Sequence, residues 1–60
     1  MEKITLNNGK TLIIKEVFWG WEVTTEENYK AFINNARDVM KFMKRDFDNI
    51  GKVKEYLMGL

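Results

Sequence analysis

The side chains with which this chain can do chemistry are carboxylates, lysines, arginines, tyrosines and threonines, because serine, cysteine and histidine are all absent. Their absence removes the pairings in which an imidazole deprotonates a hydroxyl or thiol, and with them the thiolate and imidazole ligands of a zinc site. An enzyme written in this alphabet must desolvate a carboxylate or a lysine inside a cleft, and 60 residues leave little volume for one. The expectation is a non-enzyme without a cofactor.

Two stretches touch on known binding patterns and miss them. DFDNIGKVKE places Asp46, Asp48 and Gly51 at the first, third and sixth positions of a calcium-binding loop. The fifth position is Ile50, and the twelfth, which needs a bidentate glutamate, is Leu57. With two ligands missing, the segment reads as acidic residues at a turn between helices, and no metal site is expected. Gly9 follows Asn8 without the lysine and threonine of a phosphate-binding loop, so it reads as turn chemistry.

Two other groupings suit binding better than catalysis. Lys30, Arg37, Lys41, Lys44 and Arg45 fall within an arc of about 100° when their segment is laid out as a helix at roughly 100° per residue. Such a flank can meet a phosphate backbone or an acidic protein. The competing reading is an ordinary solvated face, since Glu26, Glu27 and Asp48 share the region. Phe18, Trp19, Trp21 and Val23 gather around Gly20. In an extended strand Phe18 lies on one side and both tryptophans on the other, so one covering helix cannot bury all three rings. Tryptophan is enriched at interface hot spots. We therefore expect this cluster in a subunit or target contact.

The elements that must position these groups begin with EKITLNNGKTLIIKEV, in which β-rich runs flank Asn8-Gly9, a strong hairpin signal. A two-residue turn pairs Ile4 with Ile13, whereas a three-residue loop with a bulge pairs Ile4 with Leu12. The first arm ends by residue 7 while the second stays extended from Lys10 to about Val23, leaving an unpaired overhang that carries the aromatic cluster. Such an edge invites another chain. Gly20 marks a bulge, a bend or a close approach of backbone.

After Val23 the pattern turns helical. Thr24 or Thr25 can cap, Glu27 completes a capping box with Thr24, and Glu26 and Glu27 favour the positive end of a helix dipole. Tyr29, Ile33, Ala36, Met40, Met43, Phe47 and Ile50 then alternate steps of four and three, widened by Phe32 and Val39. This predicts a helix over 25–49, about 37 Å long at 1.5 Å per residue. Phe42 lies off the stripe, beside Asn35 and Asp46, and needs cover from a returning helix near Tyr56 or from a partner. Gly51 breaks the rhythm and predicts a second helix over 52–58.

The expected fold is α+β, a single domain over 1–60 with a hairpin (2–23), a long amphipathic helix (25–49) and a short terminal helix (52–58), a ββαα order. A hairpin against one helix is too thin to stand alone, and no disulfide or zinc is there to staple it, so a two-layer homodimer is expected. Self-association or protein binding is assigned to Phe18, Trp19, Trp21, Val23, Met40, Phe42, Met43 and Phe47, and anion binding to Lys30, Arg37, Lys41, Lys44 and Arg45. The net charge of +1 gives no global attraction to nucleic acid or membrane. No run of about 18 apolar residues exists and MEKITL lacks the apolar stretch of a secretory signal, which makes a cytoplasmic location the expectation. The lysine, asparagine and isoleucine bias matches an AT-rich genome, as in low-GC bacteria or their phages. The functional expectation is a small self-associating module that binds, and regulates or inhibits, a larger protein. The alternatives are a nucleic-acid-binding regulator using the basic flank and a structural or designed mini-protein with no ligand.

Overall fold

A computed structural model describes residues 1–60, and the first 33 of them form four strands: β1 (Glu2–Thr5), β2 (Thr11–Val17), β3 (Gly20–Thr25) and β4 (Lys30–Ile33). They join in chain order into one antiparallel sheet, so that each strand pairs with the next. Two helices follow, α1 (Ala36–Lys44) and α2 (Ile50–Met58). Neither is long and apolar enough to cross a membrane.

The turns set this architecture. In the first, the Gly9 N–H donates to the Leu6 carbonyl at 3.0 Å and the Leu6 N–H to the Lys10 carbonyl at 2.7 Å, with Gly9 at φ +89°. A turn closed by a left-handed residue gives the bulged register, and Ile4 pairs with Leu12. The third turn repeats the device. The Asn28 N–H donates to the Thr25 carbonyl at 3.0 Å, the Thr25 N–H donates to the Tyr29 carbonyl at 3.0 Å, and Asn28 sits at φ +64°. Asparagine is one of the few residues besides glycine that visits this region routinely. The Thr25 hydroxyl adds a bond from the Tyr29 N–H at 3.1 Å.

This third turn overturns the long helix expected over 25–49, and with it the ββαα order. The central residues of such a turn have backbone angles close to helical ones, so a threonine followed by two glutamates signals a turn and a helix start alike. Asn28 decides between them, because a left-handed residue reverses the chain where a right-handed one would propagate it. Tyr29 to Ile33 then run extended with alternating exposure, Tyr29, Ala31 and Ile33 turned towards the helices and Lys30 and Phe32 turned out. The four-residue step from Tyr29 to Ile33 satisfies strand and helix equally. The first helix starts only after Asn35, whose side-chain oxygen accepts the Arg37 N–H at 2.8 Å.

The second turn removes the overhang. Val17 pairs with Gly20, so Phe18 and Trp19 form a two-residue loop and β3 returns along β2 from there. Gly20 has φ +148°, and a methyl group added to it would run into the Ile33 carbonyl and sit 2.9 Å from Asn34 Cα. The backbone that approaches Gly20 is the chain's own.

Leu12, Ile14, Val23 and Ile33 on the inner face of the sheet meet Val39 and Phe42 of α1, Phe47 of the connection and Val53 of α2, with Leu6 closing one end. Each such burial contributes roughly 1.5–3 kcal/mol. Phe42 is fully buried, its ring centroid 5.1 Å from Phe47 and 5.9 Å from Tyr56. Val23, Phe42 and Phe47, expected at an interface, are therefore core residues. Helix α1 turns Val39 and Phe42 inwards and leaves Ala36, Met40 and Met43 exposed, because the stripe that looked central belonged to a helix the chain does not form. The two layers come from a single copy, so the thinness that argued for a two-layer homodimer is not there. Gly51 lies inside the first turn of α2, which Asn49 caps through a bond from the Lys52 N–H at 3.1 Å.

The first and third turns lie at the same end of the sheet and hold each other. Glu26 accepts the Thr11 N–H at 2.6 Å and the Thr11 hydroxyl at 3.1 Å, and the Lys10 ammonium lies 3.0 Å from Glu27. The Thr11 backbone bond, and then its hydroxyl, hold the Glu26 carboxyl below its ordinary value, while the hydrogen bond to Glu27 raises Lys10.

Two outcomes follow from the turn chemistry. Asn28→Gly will leave the urea midpoint unchanged or raise it, and Asn28→Val will lower stability by about 1–2 kcal/mol; a helix through this position would penalise the glycine instead, by about 1 kcal/mol. Because the folded-state pKa of Glu26 is depressed, its contribution is present above the unfolded-state value and is lost as pH falls through the folded one. The stability gap between wild type and Glu26→Ala will be open at about pH 7 and will narrow as pH is lowered below the ordinary carboxylate range.

Candidate functional site

Tight hairpin loops ordinarily carry glycine, asparagine or aspartate. Here the two loop residues are Phe18 and Trp19, and the loop position keeps both from reaching the core. Phe18 is 99% exposed and Trp19 63% exposed. Trp19 leans towards Phe32, with ring centroids 6.1 Å apart and planes tilted by 49°. Phe32 stands on the outer face of β4, opposite Glu22 of β3, and is 54% exposed. Trp21 points to the other face, where it is half-buried against the core. The cluster read in the sequence is thus divided: Val23 is core, Trp21 lines it, and Phe18 and Trp19 face solvent.

Phe32 is the member that sequence reasoning missed. Its signal was the alternation that begins at Tyr29, which a helical reading hides.

A shallow groove of about 270 Å³ runs from this aromatic pair around the β4 edge of the sheet. Trp19, Phe32, Ile33 and Asn34 form one side, and Asp38 of α1 with Leu57 and Leu60 at the end of α2 form the other. Leu60 is fixed there because the Gly59 N–H donates to the Tyr56 carbonyl at 3.1 Å and the Leu60 N–H to the Leu57 carbonyl at 3.3 Å. Asp38 is the only charged side chain lining the groove and has no ion pair. It sits in the first turn of α1, where the helix dipole favours its negative charge.

The five cations expected on one flank occupy three places. Lys30 is on the outer face of the sheet, 3.8 Å from Glu22. Arg45 ends α1 with its guanidinium 4.9 Å from the centre of the Tyr56 ring and 5.8 Å from that of Phe47. Arg37, Lys41 and Lys44 remain as an exposed row on α1, beside Met40 and Met43. Lys41 and Lys44 also lie in the last helical turn, where positive charge is favoured whatever the helix binds.

The stretch with partial calcium-loop spacing becomes the connection between α1 and the first turn of α2. Asp48 accepts a bond from the Asn7 side-chain amide at 2.9 Å, and the Asn7 N–H donates to the Phe47 carbonyl at 2.9 Å, so this connection is tied to the first hairpin turn. A second groove beside it has Arg45, Lys52, Asp46, Asp48 and Glu55 around the Tyr56 ring, with both signs of charge interleaved. No three carboxylates of the chain come together as a metal site would need.

No family model, no curated protein and no solved structure matches this chain.

Proposed function

We propose that the chain is a non-catalytic protein-binding module whose contact surface is the exposed aromatic cluster of Phe18, Trp19 and Phe32 with the groove beside it. One observation carries the reading: Trp19 and Phe32 lie exposed against each other, with Phe18 fully exposed next to Trp19 in the loop, on a domain whose core is complete without them. Apolar area left in water costs roughly 25 cal/mol per Å², so cover by another molecule would stabilise these rings. Aromatic residues also supply much contact area for few rotatable bonds, which is why they dominate hot spots. A composition that lacks serine, cysteine and histidine suits a regulator or inhibitor, encoded by a phage or a bacterium, that docks on a larger protein rather than a catalyst.

The row Arg37, Lys41 and Lys44 supports a rival reading, contact with a nucleic acid. It is weaker, since neutralised phosphates set such affinity, the net charge is only +1, and Lys30 and Arg45 are engaged elsewhere.

Phe18→Ser should leave stability within about 0.5 kcal/mol of wild type, and Trp19→Ser and Phe32→Ser should lower it by no more than about 1.5 kcal/mol, the worth of their mutual ring contact, because none of the three holds the core. In parallel capture from a bacterial lysate, the proteins retained by wild type should also be retained by Arg37→Gln/Lys41→Gln/Lys44→Gln and lost by the aromatic variants. A doubled mass in sedimentation that Trp19→Ser abolishes would identify the partner as a second copy. Retention of nucleic acid that only the basic-row variant loses would overturn the proposal.

A further inference from the structure

We propose that β4 is a docking edge: an extended segment of the partner protein adds to the sheet as a fifth strand, with side chains of alternating parity entering the groove and covering the aromatic cluster. This deepens the protein-binding reading and rests on it. The hydrogen-bond phase of β4 is fixed by the third turn. The Thr25 N–H bonds the Tyr29 carbonyl, so alternation in an antiparallel pair aims the amides of Ala31 and Ile33 at β3 and those of Lys30 and Phe32 outwards. No bond outside the sheet engages the outward pair. They form a short row of donors and acceptors of the kind a strand recognises.

The opposite edge of the sheet is less suited to the same use. There β1 carries Glu2 and Lys3, and its far end is tied to the helical connection by the bond from Asn7 to Phe47. On β4 the one charged guard, Lys30, sits 3.8 Å from Glu22 over the outer face.

The chemistry of the occupant follows from the lining. On the helix side an incoming strand meets Leu57, Leu60 and the unpaired Asp38. On the outer side it meets Phe32 and Trp19. The matching segment is apolar on both parities and carries a lysine or arginine on the helix-facing one. A second copy is a poorer fit: two β4 strands paired antiparallel about Ala31 would bring the acidic Glu26-Glu27 turn of one copy to the Asp38 end of the other.

Three probes test this: a random peptide display library, the peptides it selects in synthetic form, and the protein made by chemical synthesis with an N-methyl group on the Phe32 amide. The methyl group blocks the edge and leaves every side chain of the aromatic cluster in place; circular dichroism will show the same unfolding midpoint, since that amide points outwards. Selected peptides should be apolar at successive positions on either side of one basic residue. Their affinity should fall by about tenfold or more with N-methyl-Phe32, stay unchanged with N-methyl-Lys3 on the other edge, and fall severalfold, in a salt-dependent manner, with Asp38→Asn. Equal binding to N-methyl-Phe32 would overturn strand addition; if Trp19→Ser still lost those peptides, the aromatic surface would stand, and if it did not, both readings would fall. A library that yields no binder, or binders with helical spacing, also overturns strand addition.

Discussion

The conformation of one residue, Asn28, governs the rest of the molecule. At φ +64° it closes a five-residue turn and sends the chain back along β3 as a strand. With right-handed angles at the same position the chain would continue as a helix, Phe32 would lie on a helical stripe, and the sheet would end at β3. The four-stranded sheet, its complete core, the free β4 edge and the meeting of Trp19 with Phe32 all descend from that reversal. Neighbouring bonds hold it in place: Thr25 binds Tyr29 twice, and Glu26 is fastened to Thr11 across the sheet.

How much of this is legible in the sequence depends on whether a local signal has one structural meaning or two. Asn8-Gly9 has one, and the hairpin it announces is present in the bulged register that pairs Ile4 with Leu12. Thr25, Glu26 and Glu27 have two, because the first turn of a helix and the centre of a β-turn use nearly the same backbone angles. The apolar steps from Tyr29 to Ile50 extended the wrong alternative, since any strand residues four apart also satisfy a helical spacing. Asn34-Asn35 is the local signal against a helix running through this stretch, since asparagine is a poor interior residue and a good cap. For Phe42 a packing argument did better than periodicity: a large ring off the stripe had to be covered, and Tyr56 of the second helix lies against it.

The aromatic cluster was visible in part for a related reason. Phe18, Trp19 and Trp21 stand out by residue type, but which of them faces solvent depends on where β2 ends, and that depends on Gly20 fitting against the backbone of β4. Phe-Trp in a two-residue loop breaks the local rule that such loops carry small or polar residues. Sequences that fold well obey these rules nearly everywhere, and exceptions concentrate where function demands them. The same contrast separates the aromatic loop from Lys41 and Lys44 of the basic row, which complement the dipole at the end of α1 and so have a structural explanation of their own, as Arg37 in the first turn does not.

The most direct test of the account is nuclear magnetic resonance of residues 25–35 in solution. If Asn28 reverses the chain, the Cα shifts of Lys30–Ile33 will be those of a strand, and short Hα–Hα contacts will join Glu22 to Phe32 and Thr24 to Lys30, the pairs that alternation leaves without mutual hydrogen bonds. Helical Cα shifts running unbroken from Thr25 to Asn49, with those cross-strand contacts missing, would contradict the fold and every surface derived from it.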